Sequence, residues 1–262
     1  MAVVISVANQ KGGVGKTITS LSTAHALVKL DKRVLLVDCD PQGNASIILC
    51  ERSPYDYPLN VADLITNEET SLSQCAFPSR IKGLDIVSSN IEIMDAVESV
   101  KGTPLAMIGI RSKLTAEVHE RYDYIIIDTP PRLRGVMVNN ALAASDWYVI
   151  TNEAESYFAL RGMQQLLKSA KNMKSLNPKL ELLGVLITLA DFRNKQAKGL
   201  VQAIQQHFGE SNVFETIIPR NTAIAQATAK HKTILEFGPK ESGAKAYRSF
   251  GKELIEWVAR KS

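Results

Sequence analysis

The sequence predicts an α/β fold, a doubly wound and mostly parallel sheet with helices on both faces, built as one domain from residues 1–262. Three observations carry this. Short, nearly continuous apolar runs recur along most of the chain, segments with the apolar spacing of amphipathic helices lie between them, and the first run opens directly into a glycine-rich loop. Runs apolar on both faces suit parallel strands covered on either side. Strands alternating with helices imply βαβ units.

In chain order, the first strand is Val3–Ala8, followed by the loop NQKGGVGKT (Asn9–Thr17) and a helix expected over Thr17–Leu30. A second strand is expected at Val34–Val37. The stretch Glu51–Pro78, with Pro54, Pro58 and Pro78, is the least regular and reads as an excursion within the domain rather than a boundary. Strands follow at Leu84–Val87, Tyr124–Ile127, Trp147–Thr151, Leu182–Leu189 and Phe214–Ile218, with helices at Leu160–Leu176 and Gln196–Phe208. A last helix, around Lys245–Lys261, carries Tyr247, Phe250, Leu254, Trp257 and Val258 along one stripe. That stripe reads as core packing, because Glu253 and Glu256 interrupt the charge pattern that a membrane-surface helix wants.

Composition narrows the class. The apolar fraction of 45% and charged fraction of 22% belong to a soluble globular chain able to bury a good core. Cys39, Cys50 and Cys75 are odd in number and lack C-x-x-C spacing, which argues against a disulfide framework, a zinc site or a cysteine-held cluster. MAVVISVANQ has no basic leader and runs into the loop, so it is not a signal peptide. No apolar stretch approaches the ~20 residues that span a bilayer. A cytoplasmic protein is expected. The net charge of +4 is unevenly spread: residues 161–262 hold 17 Lys and Arg against 8 Asp and Glu, and residues 1–160 hold 14 against 19. A basic C-terminal part is an electrostatic footprint for a polyanion, or a solvated helix face.

A strand, a glycine-rich loop and a helix opening at Lys16 and Thr17 make a P-loop, the fold type of P-loop NTPases. Gly12, Gly13 and Gly15 let the backbone approach phosphates and turn N–H groups toward them, helped by the positive end of the helix. Lys16 is expected on the β- and γ-phosphates and the Thr17 hydroxyl on Mg²⁺. Val14 and Ile18 complete the expected nucleotide-contacting set. The match to G-x-x-x-x-G-K-[ST] is incomplete, with Gln10 at the first glycine position and Lys11 after it.

KGGVGKT, with its second lysine, resembles the deviant Walker A loop of the ParA/MinD family of ATPases. The resemblance implies ATP and Mg²⁺ as cofactors and an ATP-dependent sandwich homodimer. In it, Lys11 reaches the phosphates bound by the other subunit and joins Lys16 and Asp40 in catalysis; a cation aimed at developing phosphoryl charge is worth orders of magnitude in rate. VLLVDCDPQG (Val34–Gly43) is similar to the family's switch region. Two carboxylates at a strand's C-terminal edge lie where doubly wound folds bind ligands. By resemblance Asp40 orients or activates the attacking water and Asp38 supports the Mg²⁺ shell, with a loop-capping reading of Asp38 left open. YDYIIIDTPP (Tyr122–Pro131) is a Walker-B arrangement, Asp128 acting on Mg²⁺ directly or through water. After the prolines come Arg132, Leu133 and Arg134 in place of the family's small residues; phosphate, DNA and solvent are all open to those arginines.

Within the family, the iron–sulfur relatives need cysteines in another spacing, MinD needs a membrane helix, and one ParA form needs a helix-turn-helix before the first strand. The compact, Soj-like ParA form remains. SSNIEIMDAV, IIPRN, GAKAY and GKEL resemble stretches of it, which places Pro219 near the adenine base. The resemblance implies a slow ATPase whose dimer binds nucleoid DNA nonspecifically. A ParB-like or cargo-adaptor protein stimulates it, and it segregates or spaces a plasmid, a chromosome region or a protein assembly. Arg193 falls where the family has a DNA-contacting arginine. A second such position holds Ala223, NTAIAQATA replaces the usual NVRLSEAPS, and Gly238 replaces the aspartate of YDP. The DNA surface is then rebuilt from Lys195, Lys198, Lys230, Lys232, Lys245 and Arg248, or weakened. The rival expectation is an ATP-controlled switch acting through a protein partner or a membrane surface without DNA.

Overall fold

A computed structural model describes residues 1–132, 135–154, 159–191, 193 and 195–262, with residues 159–163 and 195–198 described by their backbone alone. The strands are β1 (Val3–Ala8), β2 (Val34–Asp38), β3 (Ala76–Pro78), β4 (Leu84–Val87), β5 (Tyr124–Asp128), β6 (Trp147–Glu153), β7 (Glu181–Ala190) and β8 (Val213–Pro219). They form one sheet in the order β3-β4-β2-β5-β1-β6-β7-β8. The β3–β4 pair is antiparallel and the other pairs are parallel. From β1 the chain moves out to β2 and β4, returns to insert β5 between β2 and β1, and then builds β6, β7 and β8 on the other side. Ligands of such sheets sit beyond the C-terminal strand ends where the winding reverses. That is where the loop after β1 lies.

The helices are α1 (Lys16–Val28), α2 (Asn44–Leu49), α3 (Val61–Thr66), α4 (Leu72–Cys75), α5 (Ile93–Ser99), α6 (Leu105–Ile108), α7 (Ala116–Arg121), α8 (Val136–Ala144), α9 (Ala159–Met173), α10 (Lys195–Phe208), α11 (Thr222–Ala229), α12 (Ile234–Phe237) and α13 (Ser242–Lys261). Successive strand residues point to opposite faces, and both faces are covered. Ile5, Val7, Leu36 and Ile126 pack with residues of α1, α2 and α11–α13. On the other face, Val4, Leu35, Ile125 and Ile127 pack with α3, α5 and α8, and Ile150, Val185 and Ile187 with α8–α10.

The seven expected strands are present with ends moved by a residue or two. The added strand is β3, inside the irregular stretch, which is itself ordered: capping boxes at Asn60/Asp63 and Ser71/Gln74 start α3 and α4. Elements of three to six residues are too short for periodicity to register. Pro78 ends β3 on the sheet's edge, where a missing N–H is tolerated.

The α13 stripe is core, as expected: Tyr247, Phe250, Leu254, Trp257 and Val258 are all buried. Phe214 of β8 lies between Trp257 and Phe250, tilted 31° to the first at a centroid distance of 4.2 Å and edge-on to the second at 4.9 Å. Gly184 in β7 makes this possible, since a Cβ there would lie 2.7 Å from Trp257 and 2.8 Å from Phe214. The three cysteines are buried and free. Among the described residues no helix is long and apolar enough to cross a membrane.

Candidate functional site: a phosphate loop beside three carboxylates

The loop after β1 turns at Gly13 (φ 76°) and Gly15 (φ 80°), a left-handed backbone that side chains with a Cβ resist. It is tied down from β6 and β7. Asn9 Nδ2 donates to the Thr151 carbonyl at 2.5 Å, and Asn9 Oδ1 accepts from the Lys11 N–H at 3.1 Å. Thr188 Oγ1 donates to the Val14 carbonyl at 2.9 Å. Val14 is fully buried under the loop, so its side chain belongs to the core and its backbone to the loop.

Lys16 is 6% exposed, and its Nζ donates to the Lys11 carbonyl at 2.9 Å. Burial pushes its ammonium pKa below the usual lysine range, against the pull of Asp128 and Asp40. A buried ammonium beside a set of turned N–H groups is built for an anion.

The carboxylates differ. Asp38 and Asp128 are paired residues of adjacent strands, both fully buried. Asp38 accepts from the Asp40 N–H (3.0 Å), the Ser46 N–H (2.9 Å) and Ser46 Oγ (2.8 Å). Both its oxygens thus accept hydrogen bonds from the segment between β2 and α2, so Asp38 caps that loop as it stands beside Asp128. Burial lifts its carboxyl to about 6. Asp128 Oδ1 accepts from the Ser20 hydroxyl at 2.8 Å, with Thr17 close by, and burial with the neighbouring Asp38 lifts its carboxyl to about 8. Its Oδ2 is buried without a partner. An orphaned carboxylate oxygen beside Thr17 fits a hydrated divalent cation, whose charge would offset the burial cost. Asp40 lines the cavity, 7% exposed, with Oδ1 accepting from the Gln42 N–H at 3.0 Å.

A cavity of about 790 Å³ opens over the loop. Gly12, Gly13, Gly15, Lys16, Thr17 and Ile18 line it on the loop side. Asp40, Gln42, Asn44, Ile48 and Pro131 line it as well, as do Leu189, Arg220, Asn221, Thr222, Ile224, Ala225 and Thr228. Pro219 pairs with Ala190 at the end of β8, and the lining begins one residue later. The apolar side chains of the lining, Ile48, Leu189 and Ile224, suit the flat apolar face of a base.

Lys11 is exposed at the loop's edge, its Nζ 2.5 Å from Glu153 Oε2 at the end of β6. Sequence reasoning missed Glu153, Ser20, Ser46 and Thr188. Glu153, Ser20 and Thr188 act only because elements far apart in sequence are adjacent in space, and Ser46 because the segment after β2 folds back onto Asp38, so no spacing along the chain announces them.

The expected DNA contacts differ in their surroundings. Arg193 is 91% exposed but paired with Asp191 at 2.6 Å. Lys230, Lys232 and Lys245 are exposed and Arg248 half-buried. The side chains of Lys195 and Lys198 lie outside the described residues, as do Leu133 and Arg134; Arg132 is exposed. Ala223, at 7% exposure, is a core residue of the first turn of α11.

Residues 2–182 match the AAA domain family. The sporulation initiation inhibitor protein Soj of Bacillus subtilis is 36% identical over 97% of this chain and 98% of its own. The chromosome-partitioning ATPase Soj of Thermus thermophilus is 39% identical over 97% and 96%. A crystal structure of cobyrinic acid a,c-diamide synthase from Mycobacterium smegmatis, with bound ADP and magnesium, superposes with a TM-score of 0.84 at 30% identity, covering 100% of this chain and 97% of that one.

Proposed function

Because the chain belongs to the ParA/MinD family of partition ATPases, we propose that it is a Mg²⁺-dependent ATPase that dimerises on ATP, binds DNA nonspecifically as the dimer, and segregates or spaces a cargo. The observation that carries this is a phosphate loop joined to a second, exposed lysine: Lys16 is buried over the loop, while Lys11 stands at the cavity's edge.

Loop N–H groups and Lys16 hold the β- and γ-phosphates, and Thr17 with Asp128, directly or through water, holds Mg²⁺. When bound, Mg²⁺ neutralises phosphate charge. Asp38 fixes the loop that carries Asp40, and Asp40 orients the attacking water. Lys11 of one protomer meets the phosphates of its partner and supplies positive charge where it develops in the transition state. Without a strong general base, basal turnover is slow, and a ParB-like or cargo-adaptor protein accelerates it. Lys230, Lys232, Lys245 and Arg248, together with Arg193, Lys195 and Lys198, contribute phosphate contacts to DNA on the nucleoid.

The second reading, an ATP-controlled switch working through a protein or membrane surface, is favoured by two details. Arg193 is paired with Asp191, and Ala223 is a core residue.

The test is binding to random-sequence duplex DNA with ATP, ADP or no nucleotide, across a salt series, using Asp40→Ala to slow hydrolysis. Binding that requires ATP and weakens steeply with salt is expected. No binding at low salt sinks the DNA reading and selects the switch.

A further inference from the structure

Glu153 closes β6 beside the loop and holds two cations. Lys11 Nζ lies 2.5 Å from its Oε2 and Arg220 Nη2 3.6 Å from its Oε1. Arg220 lines the cavity just after β8, so one carboxylate joins the loop lysine to a residue of the cavity lining. A lysine that must serve a second protomer is held here by its own.

We infer that Glu153 is a positioning residue that latches Lys11 onto its own protomer and releases it when two copies close on nucleotide. The inference rests on the sandwich reading proposed above. Three features make the latch openable. The root of Lys11 is fixed, since its N–H donates to Asn9 Oδ1 and Asn9 is itself tied to Thr151, two residues before Glu153. The side chain alone has to swing, along four flexible methylenes. The pair is also weak enough to break: the Lys11 side chain is 45% exposed, and ion pairs so placed are screened by solvent. Finally, the Glu153 side chain is only 19% exposed and is not stranded when Lys11 leaves, because Arg220 remains beside it. Removing one partner of an enclosed pair is costly only where the other is left uncompensated.

Glu153→Gln keeps the shape and an acceptor oxygen while deleting the charge. Two readouts on the full chain test the latch. In the nucleotide-free monomer, acylation of Lys11 by an N-hydroxysuccinimide ester, read by mass spectrometry against exposed Lys245, should quicken about two- to fivefold in the variant. With saturating ATP in an Asp40→Ala background, the protein concentration for half-dimerisation should fall by a similar factor, with monomer ATP affinity unchanged. Unchanged labelling overturns the latch, because Lys11 is then not held. Faster labelling with unchanged or weaker dimerisation also overturns it, because the hold does not gate closure. If neither protein dimerises with ATP while labelling still responds, it is the sandwich reading that fails: the ion pair is real but gates nothing.

Discussion

His25 lies in the middle of α1, 3% exposed, with Nδ1 2.7 Å from Thr233 Oγ1. Burial lowers its pKa from 6.5 to about 4; Glu236 opposes the shift, while Lys29 and Arg80 reinforce it. The folded protein therefore keeps the imidazole neutral where the unfolded chain would take up a proton. Its contribution is complete above pH 6.5 and is lost as pH falls from there toward 4. Urea unfolding followed from pH 7 to pH 4.5 should lose about 2–3 kcal/mol through this group. His25→Gln, which can still bond Thr233, should flatten that part of the profile. An unchanged pH slope in the variant would mean that other groups set the acid limit. The same physics explains the carboxylates of the site. Asp38 and Asp128 are costly to bury as a pair, Asp38 offsets the cost through three hydrogen bonds, and Asp128 keeps one oxygen unpartnered.

Short elements hold the site where long ones only frame it. The loop from β2 to α2 turns at Gly43, φ 59°, and a Cβ there would lie 2.6 Å from the Ser89 carbonyl oxygen. Gly43→Ala must push that loop away from the segment after β4. A destabilisation of about 1–3 kcal/mol is expected, together with a fall in ATP turnover of about tenfold or more, because Asp40 moves with the loop. Nucleotide binding by the loop after β1 should survive, so a titration of ATP affinity alongside steady-state turnover separates the two effects. At the far edge of the sheet, Glu253 of α13 accepts the N–H groups of Glu215 (2.6 Å) and Thr216 (3.0 Å) on β8. The glutamate that breaks a membrane-type charge pattern in the sequence is thus fastening the last helix to an edge strand, which also covers groups that another chain could pair with.

Across the whole molecule, the function proposed above gives Lys11 and the C-terminal cations separate tasks. Lys245 and Arg248 lie one helical turn apart on α13, outside the cavity lining. If α13 contributes to the DNA surface, Lys245→Glu with Arg248→Glu should weaken ATP-dependent DNA binding. It should also lower the slope of log affinity against log salt by about one for each DNA phosphate that is no longer neutralised, with ATP-driven dimerisation unchanged. An unchanged slope would move the DNA surface to other cations. Arg193 is less suited to dominate it, since Asp191 is held down to about 2 by that arginine and stays charged beside it.

The sheet was legible from the chain because its strands are covered on both faces and so read as apolar runs, and the phosphate loop because its glycines, Lys16 and Thr17 are contiguous. Local chemistry of that kind is written in local sequence. Edge strand β3 and helices α3 and α4 were illegible because so few residues carry no period, and the capping function of Asp38 because Ser46 and the Asp40 N–H must fold back to reach it. Whether Lys11 stands free or held was undecidable from NQKGGVGKT alone. Its partner Glu153 lies more than a hundred residues away, and only the neighbouring position of β6 in the sheet brings that carboxylate to the loop.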